Sequence, residues 1–182
     1  MESILNPNVF NLSLDPETAH PNLILSEDMT SVRYSILGQR LPYNPKRFDP
    51  RLFVLGSQGF TSGRHYWEVV VGDKIVWFLG VVKESINRKG NFIMNPENGY
   101  WGVCRSGNAY TASESSEKLL SLSVKPQRIG TYLDYEGGQM SFYNADGMSH
   151  IYTFSDAFNG ILYPCFCPGS NTEPLNMFHL KL

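Results

Sequence analysis

The fold is decided by one stretch of the sequence, GFTSGRHYWEVVVG, which covers residues 59–72. Its rings Phe60, Tyr66 and Trp67 are large enough to anchor a protein core. Glycines at both ends and in the middle mark points where the backbone must turn sharply around these rings. From Trp67 onward, an acidic residue followed by three valines predicts a strand that is largely buried at its end.

The alternation of apolar and polar residues recurs along the whole chain, and no window of about a dozen residues keeps the helical period of about 3.6. The chain is therefore predicted to be all-β. Short strands are expected at residues 9–14, 23–25, 31–36, 52–55, 66–71 and 76–82. Leu120, Leu122 and Val124 alternate with serines and predict a further strand, against a weaker helix-start signal at Thr111.

The clearest hairpin is predicted at residues 131–144, TYLDYEGGQMSFYN, where Gly137 and Gly138 supply the positive φ angles of a tight turn. Further turns are expected at 146–147, 107–108 and 72–73. Many short strands with long connections favour two antiparallel sheets packed face to face, with a closed barrel as the alternative. A short helix or a frayed end is expected over the first eight residues.

Composition limits the classes of function. The chain has 182 residues and a formal net charge of -2, with no block of like charges, so we expect one soluble domain with no nucleic acid and no membrane as partner. No secretory leader is expected, and its three cysteines are too few for a disulfide scaffold. We therefore expect a cytoplasmic protein, or a nuclear one. Cys165 and Cys167 would share one face of a strand as buried thiols.

The sequence contains no assembled catalytic or cofactor motif. Its four histidines are scattered, Cys165 and Cys167 have no second close pair, and neither zinc nor any other cofactor is expected. His65, beside Tyr66, is interpreted as a structural histidine. Asp134 and Glu136 flank the predicted turn and are interpreted as acceptors of backbone N–H groups. An enzyme is therefore not expected.

Three segments together resemble a PRY-SPRY domain, as found in tripartite-motif ubiquitin ligases and butyrophilins. The first joins LDPETAHPNLILSED to LPYNPKRFD, the second joins VLGSQGFTSGRHYWEVVVG to WFLGVVKESINRKG, and the third joins LDYEGGQMSFYNA to IYTFSDAF and YPCFCPG. The resemblance implies one domain over residues 1–182, with a PRY portion at about 9–58 and an SPRY portion at about 59–182. It also implies a bent two-layer antiparallel β-sandwich of the concanavalin-like jelly-roll type.

The resemblance further implies a non-catalytic domain that selects a protein target through loops at one end. In such a ligase the RING lies outside this chain, and the full-length protein is a homodimer through a coiled coil that also lies outside it. A role in innate immunity or protein turnover is expected. The alternative is a sensor that binds a small anionic metabolite, as butyrophilins do, for which Arg105, Lys46 and Arg47 are the available cations.

The residues that the resemblance assigns to partner binding lie in three parts of the sequence. They are Phe78, then Trp101, Cys104, Arg105, Ser106 and Tyr110, and finally Ser170 and Asn171. A ligase relative binds antibody through a pair of tryptophans, and the matching positions in this sequence are Cys104 and Ser106. Antibody binding is therefore not expected. The remaining pocket is predicted to be moderately apolar, with Phe78 and Tyr110 as anchors and Arg105 as a polar group on the surface.

Overall fold

The computed structural model describes residues 8–180, and this part of the chain is built almost entirely from strands. The only helical element in it is one 3-10 turn at Pro96–Asn98. The strands are β1 (Asn8–Val9), β2 (Leu23–Leu25), β3 (Ser31–Tyr34), β4 (Val54–Leu55), β5 (Arg64–Val70), β6 (Val76–Lys83), β7 (Tyr100–Ser106), β8 (Ala109–Ala112), β9 (Lys118–Leu120), β10 (Arg128–Asp134), β11 (Gln139–Asn144), β12 (Ser149–Ser155), β13 (Leu162–Cys167) and β14 (Leu175–Phe178).

The strands form two separate sheets, which confirms the predicted sandwich and makes the barrel alternative wrong. The large sheet has eight strands in the order β12-β11-β10-β5-β14-β3-β2, with β1 also paired to β5. The small sheet has six strands in the order β4-β13-β6-β7-β8-β9. All pairs between these strands are antiparallel except β1 with β5, which is parallel. The predicted N-terminal helix falls mostly outside the described residues.

The main core lies between the two sheets, as the alternation in the sequence requires. Trp67 and Val69 of β5 point into it from the large sheet, and Trp77, Leu79 and Val81 of β6 point into it from the small sheet. All five side chains are buried. Residues of the N-terminal segment, including Leu12, Leu14 and Leu23, belong to the same cluster. The N-terminal and C-terminal parts of the chain therefore share one core.

A second apolar cluster covers part of the outer face of the small sheet. Phe48 and Phe53 come from the loop before β4, and Ile86 and Phe92 come from the loop after β6. Their rings and side chains pack on sheet residues that point away from the main core, namely Leu55, Val82, Tyr100, Cys165 and Cys167. This confirms that Cys165 and Cys167 are buried thiols on one face of a strand.

Several predicted strands are shorter in the structure, because a neighbouring strand is present for only part of their length. The strand predicted at 9–14 ends at Val9, and the one at 31–36 ends at Tyr34, where a turn begins with the Gly38 amide donating to the Ser35 carbonyl. The strand predicted to run through Leu122 and Val124 ends at Leu120. Val124 is 64% exposed and therefore gains nothing from sheet burial.

The predicted hairpin of β10 and β11 is confirmed, with Asp134 paired to Gln139 across the turn. Of the two glycines in this turn, only Gly138 has a positive φ angle, of 69°. The prediction that Gly137 would also have one is therefore wrong. The Gly137 amide instead donates to the Asp134 carboxylate at 3.0 Å. Glu136 also accepts a backbone N–H, but from Gly63 in another loop, at 2.9 Å. Both carboxylates therefore act as turn acceptors.

A buried polar network fastens β5 to β10 on the outer face of the large sheet. The Tyr66 hydroxyl donates to Glu68 at 2.6 Å, and Arg128 of β10 donates to the same carboxylate at 2.6 Å. Gly130 of β10 leaves room for the phenol, since a Cβ there would lie 2.2 Å from the Tyr66 hydroxyl oxygen. Glu68 is 4% exposed, so these two hydrogen bonds compensate for the loss of hydration of its carboxylate.

We expect Gly130→Ala to lower the free energy of unfolding by roughly 1–3 kcal/mol, because the added methyl group collides with the Tyr66 ring. Chemical denaturation measures this change. In a Tyr66→Leu background, which removes the phenol, the same substitution should cost less than about 0.5 kcal/mol. An equal cost in both backgrounds would show that the collision is not the cause.

Candidate functional site

A row of side chains crosses the outer face of the small sheet, starting at the edge of the second cluster with Cys167 and Phe78 and running away from it. The strand register places Cys167, Phe78, Cys104, Thr111 and Leu119 side by side on β13, β6, β7, β8 and β9. These five residues are called the open row. They point away from the main core because Trp77, Leu79 and Val103, their neighbours along the strands, point into it.

The open row is apolar at its floor and becomes exposed toward β9. Cys167 and Cys104 are 4% and 7% exposed, Phe78 is partly exposed, and Leu119 is 71% exposed. The Cys104 sulfur lies 2.8 Å from the Thr111 hydroxyl oxygen, so these two groups of the row are hydrogen-bonded to each other. The arrangement offers an apolar surface for contact.

Ser106 lies beside the open row, on the same face of β7 as Cys104 and directly opposite Val76 of β6. Its side chain is exposed. The structure therefore brings together three of the residues assigned from the sequence, Phe78, Cys104 and Ser106. Cys167, Thr111 and Leu119 were not assigned to the site from the sequence. The two-residue turn at 107–108 pairs Ser106 with Ala109, and this register could have identified Thr111 as the neighbour of Cys104.

Three other predicted residues, Trp101, Arg105 and Tyr110, point to the opposite face of the same sheet. Trp101 is 1% exposed in the main core, where its indole N–H donates to Asp156 at 3.1 Å. Tyr110 packs against the main core beside Trp77, with ring centroids 6.2 Å apart. Arg105 is 3% exposed, and its guanidinium carbon lies 5.3 Å from the centre of the Tyr110 ring. Alternation along β7 and β8 separates these residues from the open row.

The loop after β13 carries Ser170 and Asn171. Ser170 is exposed, whereas the Asn171 side chain accepts a hydrogen bond from the Lys74 ammonium group. Lys74 is 2% exposed and also donates to the Glu173 carbonyl at 2.7 Å. Burial lowers the pKa of Lys74, while the charge of Glu173 opposes that shift. Asn171 is thus part of the connection between this loop and the turn before β6.

Arg105 continues this connection to the hairpin of β7 and β8. Its Nη1 donates to the Lys74 carbonyl at 2.9 Å, and its Nε donates to the Gly107 carbonyl at 2.8 Å. Two guanidinium nitrogens are therefore bonded to the turns, and the predicted role of Arg105 as a surface group that meets a partner has no support in this geometry.

The described residues show no cluster of metal-ligating side chains. No group of three or more His, Cys, Asp or Glu in the described range could hold a metal ion. The His65 ring stacks on Phe60 with centroids 3.9 Å apart, and its Nε2 lies 2.7 Å from the Ser62 carbonyl oxygen, as expected of a structural histidine. Between residues 8 and 180 no helix has the length and apolar character to cross a membrane.

Burial also changes the acidity of the thiols around the open row. Loss of hydration raises the pKa of Cys167 to about 11, and it raises the pKa values of Cys165 and Cys104. A hydrogen bond with Thr111 partly opposes the shift at Cys104. Thiols with raised pKa values are poor nucleophiles near neutral pH. The row therefore has the chemistry of a contact surface.

These features define a class of protein, a β-sandwich binding domain with an apolar row open on one sheet face. A family model described as the SPRY domain matches residues 64–179, and one described as the SPRY-associated domain, PRY, matches residues 12–60. The chain belongs to the SPRY family and carries the associated PRY segment.

Named relatives share this domain. Nuclear factor 7, brain, of Xenopus laevis is 54% identical over 187 residues, covering 100% of this chain and 31% of that protein. The mouse E3 ubiquitin-protein ligase TRIM69 is 49% identical, covering 98% of this chain and 37% of that protein. Bovine butyrophilin subfamily 1 member A1 is 51% identical, covering 86% and 30% respectively. The chain thus spans about a third of the length of these relatives.

A solved structure agrees with the fold. The TRIM65 PSpry domain superposes with a TM-score of 0.83 at 28% identity, covering 95% of this chain and 92% of that one. The PRY-SPRY assignment, the all-β sandwich and the tripartite-motif relatives are therefore established. The sequence of this chain contains only three cysteines and four histidines, fewer than the eight zinc ligands of a RING.

We expect Arg105→Ala to lower the free energy of unfolding by roughly 2–3 kcal/mol, because two hydrogen bonds from a buried charged group are lost. Ser106→Ala, the next residue along β7, should change it by less than about 0.5 kcal/mol because its side chain is exposed. Urea denaturation of both variants measures the difference. Equal urea midpoints for the two variants would show that Arg105 has the surface role expected from the sequence.

Stability should fall as the pH rises from about 9 to 11, because the pKa of Cys167 is raised in the folded state. The unfolded chain loses this proton near its ordinary pKa while the folded chain keeps it, so the stabilisation is complete below about pH 9 and is lost above it. Cys167 alone accounts for roughly 2–3 kcal/mol over this range. The difference in unfolding free energy between Cys167→Ala and the parent isolates the contribution of this thiol, because the other titrating groups are common to both proteins. If the unfolding free energy depends on pH identically in the two proteins, the assignment is contradicted.

Proposed function

We propose that this chain is a non-catalytic protein-recognition domain that binds its target through the open row. The observation that carries the proposal is the uneven covering of one sheet face. Phe48, Phe53 and Phe92 cover one part of that face. Phe78 packs at the edge of this cover and stays partly exposed, and Leu119 beyond it is exposed. An apolar surface supported by a rigid sheet, next to loops that tolerate sequence change, is suited to selecting a protein partner.

We further propose that the domain selects substrates for a tripartite-motif E3 ubiquitin ligase. Support comes from the relative TRIM69, whose name states ligase activity and of which this chain matches 37%. The RING and a coiled coil that pairs two copies would lie in other parts of the full-length protein. We place this function in the cytoplasm or the nucleus, in innate immunity or protein turnover. Three free thiols are in keeping with a reducing compartment.

The alternative, a sensor for a small anionic metabolite, is less well supported by the positions of the three available cations. Arg105 points away from the open row and donates to backbone carbonyls. Arg47 is 8% exposed and donates to the carbonyls of Pro16 and Ala19. Lys46 pairs with Glu17 at 3.3 Å. Their hydrogen bonds and ion pairs go to backbone carbonyls and to Glu17, none of which belongs to the open row, so a protein target is preferred.

We expect Ser106→Arg to reduce capture of the physiological target by the domain at least about tenfold, because a long charged side chain would stand beside Phe78 and Cys104. Affinity capture from cells, quantified by mass spectrometry, measures the loss. Since Ser106 is exposed, the melting temperature of the variant should match that of the parent.

The matched control is Ser155→Arg, the same substitution at an exposed position on β12 of the large sheet. It should capture the same proteins as the parent. Loss of capture with Ser155→Arg and normal capture with Ser106→Arg would place the recognition surface on the other sheet. If neither variant loses capture of the target, the open row is not the recognition surface.

A further inference from the structure

Met148 ends the turn between β11 and β12, and its backbone adopts a conformation that is uncommon for any residue except glycine. Its φ angle is 56°. In this left-handed region the Cβ atom of an L-residue crowds its own backbone, so glycine, asparagine and aspartate are the usual residues there. In the described part of the chain only one other non-glycine residue, Met29, has a positive φ angle, of 60°. The geometry of the turn therefore does not explain a methionine at position 148.

Apolar burial explains the side chain of Met29 but not that of Met148. Met29 is partly buried and packs against the main core. Met148 is 51% exposed and belongs to neither of the two apolar clusters. Among the methionines between residues 8 and 180 it is the only exposed one, whereas Met140 and Met177 are buried. Its sulfur is therefore the most accessible to a reagent in solution.

The Met148 sulfur contacts the buried polar network on the outer face of the large sheet. It lies 3.5 Å from the Tyr66 hydroxyl oxygen, within range of a weak O–H···S hydrogen bond. The same hydroxyl donates to Glu68 at 2.6 Å. Loss of hydration, together with the bond to Glu68, raises the pKa of Tyr66, so the phenol keeps its proton at neutral pH. A phenol has one proton, and the carboxylate is the stronger of its two acceptors.

The turn that carries Met148 is attached to the same network through Arg128. The Arg128 Nε donates to Glu68 at 2.6 Å, and its Nη2 lies 3.4 Å from the Asp146 carboxylate. The Ala145 amide donates to the Arg128 carbonyl at 2.9 Å. The turn and the buried carboxylate therefore share both Tyr66 and Arg128. A chemical change at the Met148 sulfur acts directly on a group that binds Glu68.

We propose that Met148 is a site of oxidation by hydrogen peroxide, and that its sulfoxide weakens the bond between Tyr66 and Glu68. The sulfur donates a lone pair to one peroxide oxygen, the O–O bond breaks, and the other oxygen leaves as water. The sulfur loses two electrons and the peroxide gains them. The sulfoxide oxygen is a stronger acceptor than the thioether sulfur, so it competes with Glu68 for the one phenol proton. The proposal goes beyond the recognition function, because it involves no residue of the open row.

The test treats the intact chain with hydrogen peroxide and follows each methionine by peptide mass spectrometry. Met148 should form its sulfoxide at least about tenfold faster than the buried Met140 and Met177. Oxidation should lower the urea midpoint by roughly 0.3–1 M, because the buried Glu68 carboxylate loses part of a hydrogen bond. If Met148 is oxidised no faster than the two buried methionines, or if its complete oxidation leaves the midpoint unchanged, the proposal is overturned.

Two variants identify the sulfur and the phenol as the groups responsible. Met148→Leu removes the sulfur at an exposed position, so its urea midpoint should not change on peroxide treatment. An equal fall in this variant and the parent would assign the effect to another methionine and overturn the proposal.

Tyr66→Phe removes the phenol proton for which the sulfoxide competes. Met148 should still be oxidised in this variant, but the midpoint should fall by less than about half of the fall in the parent. An equal fall would show that Tyr66 does not connect the sulfur to Glu68. The oxidation rates of the parent test the proposal even if Tyr66→Phe does not fold.

Discussion

The pairing of β5 with β10 is the interaction on which the rest of the domain depends. Every residue of β5 from Arg64 to Val70 has a partner on β10. Its other edge is shared by β1 and β14, so the first and last strands meet on the same element. A shift of this register by one residue would turn Trp67 toward solvent and Glu68 into the core. The buried bonds of Glu68 to Tyr66 and Arg128 oppose that shift.

The two faces of the small sheet have different roles because of this arrangement. One face is committed to the core by Trp77 and Trp101, which the large sheet covers. The other face needs a cover of its own, and the loops before β4 and after β6 supply only part of it. The open row is what remains. Lys74 and Arg105 connect the turns at the same end of the sheet, so the loops beside the row are fixed by buried hydrogen bonds.

The sequence predicted the sandwich and the hairpin of β10 and β11 because alternation and turn residues are local signals. Strand ends were less predictable, since they depend on where a neighbouring strand stops, as at Leu120. The site was predicted only in part. Residues 104, 105 and 106 were assigned together, yet alternation sends Arg105 to the opposite face.

The central claim, that the open row meets the target, is tested most directly by photo-crosslinking in cells. Benzoylphenylalanine would replace Ser106 in one full-length protein and Ser155 in another, and adducts would be counted after irradiation. We predict a discrete adduct from position 106 and none from position 155. A discrete adduct from position 155 alone would contradict the account, because it would place the target on the large sheet.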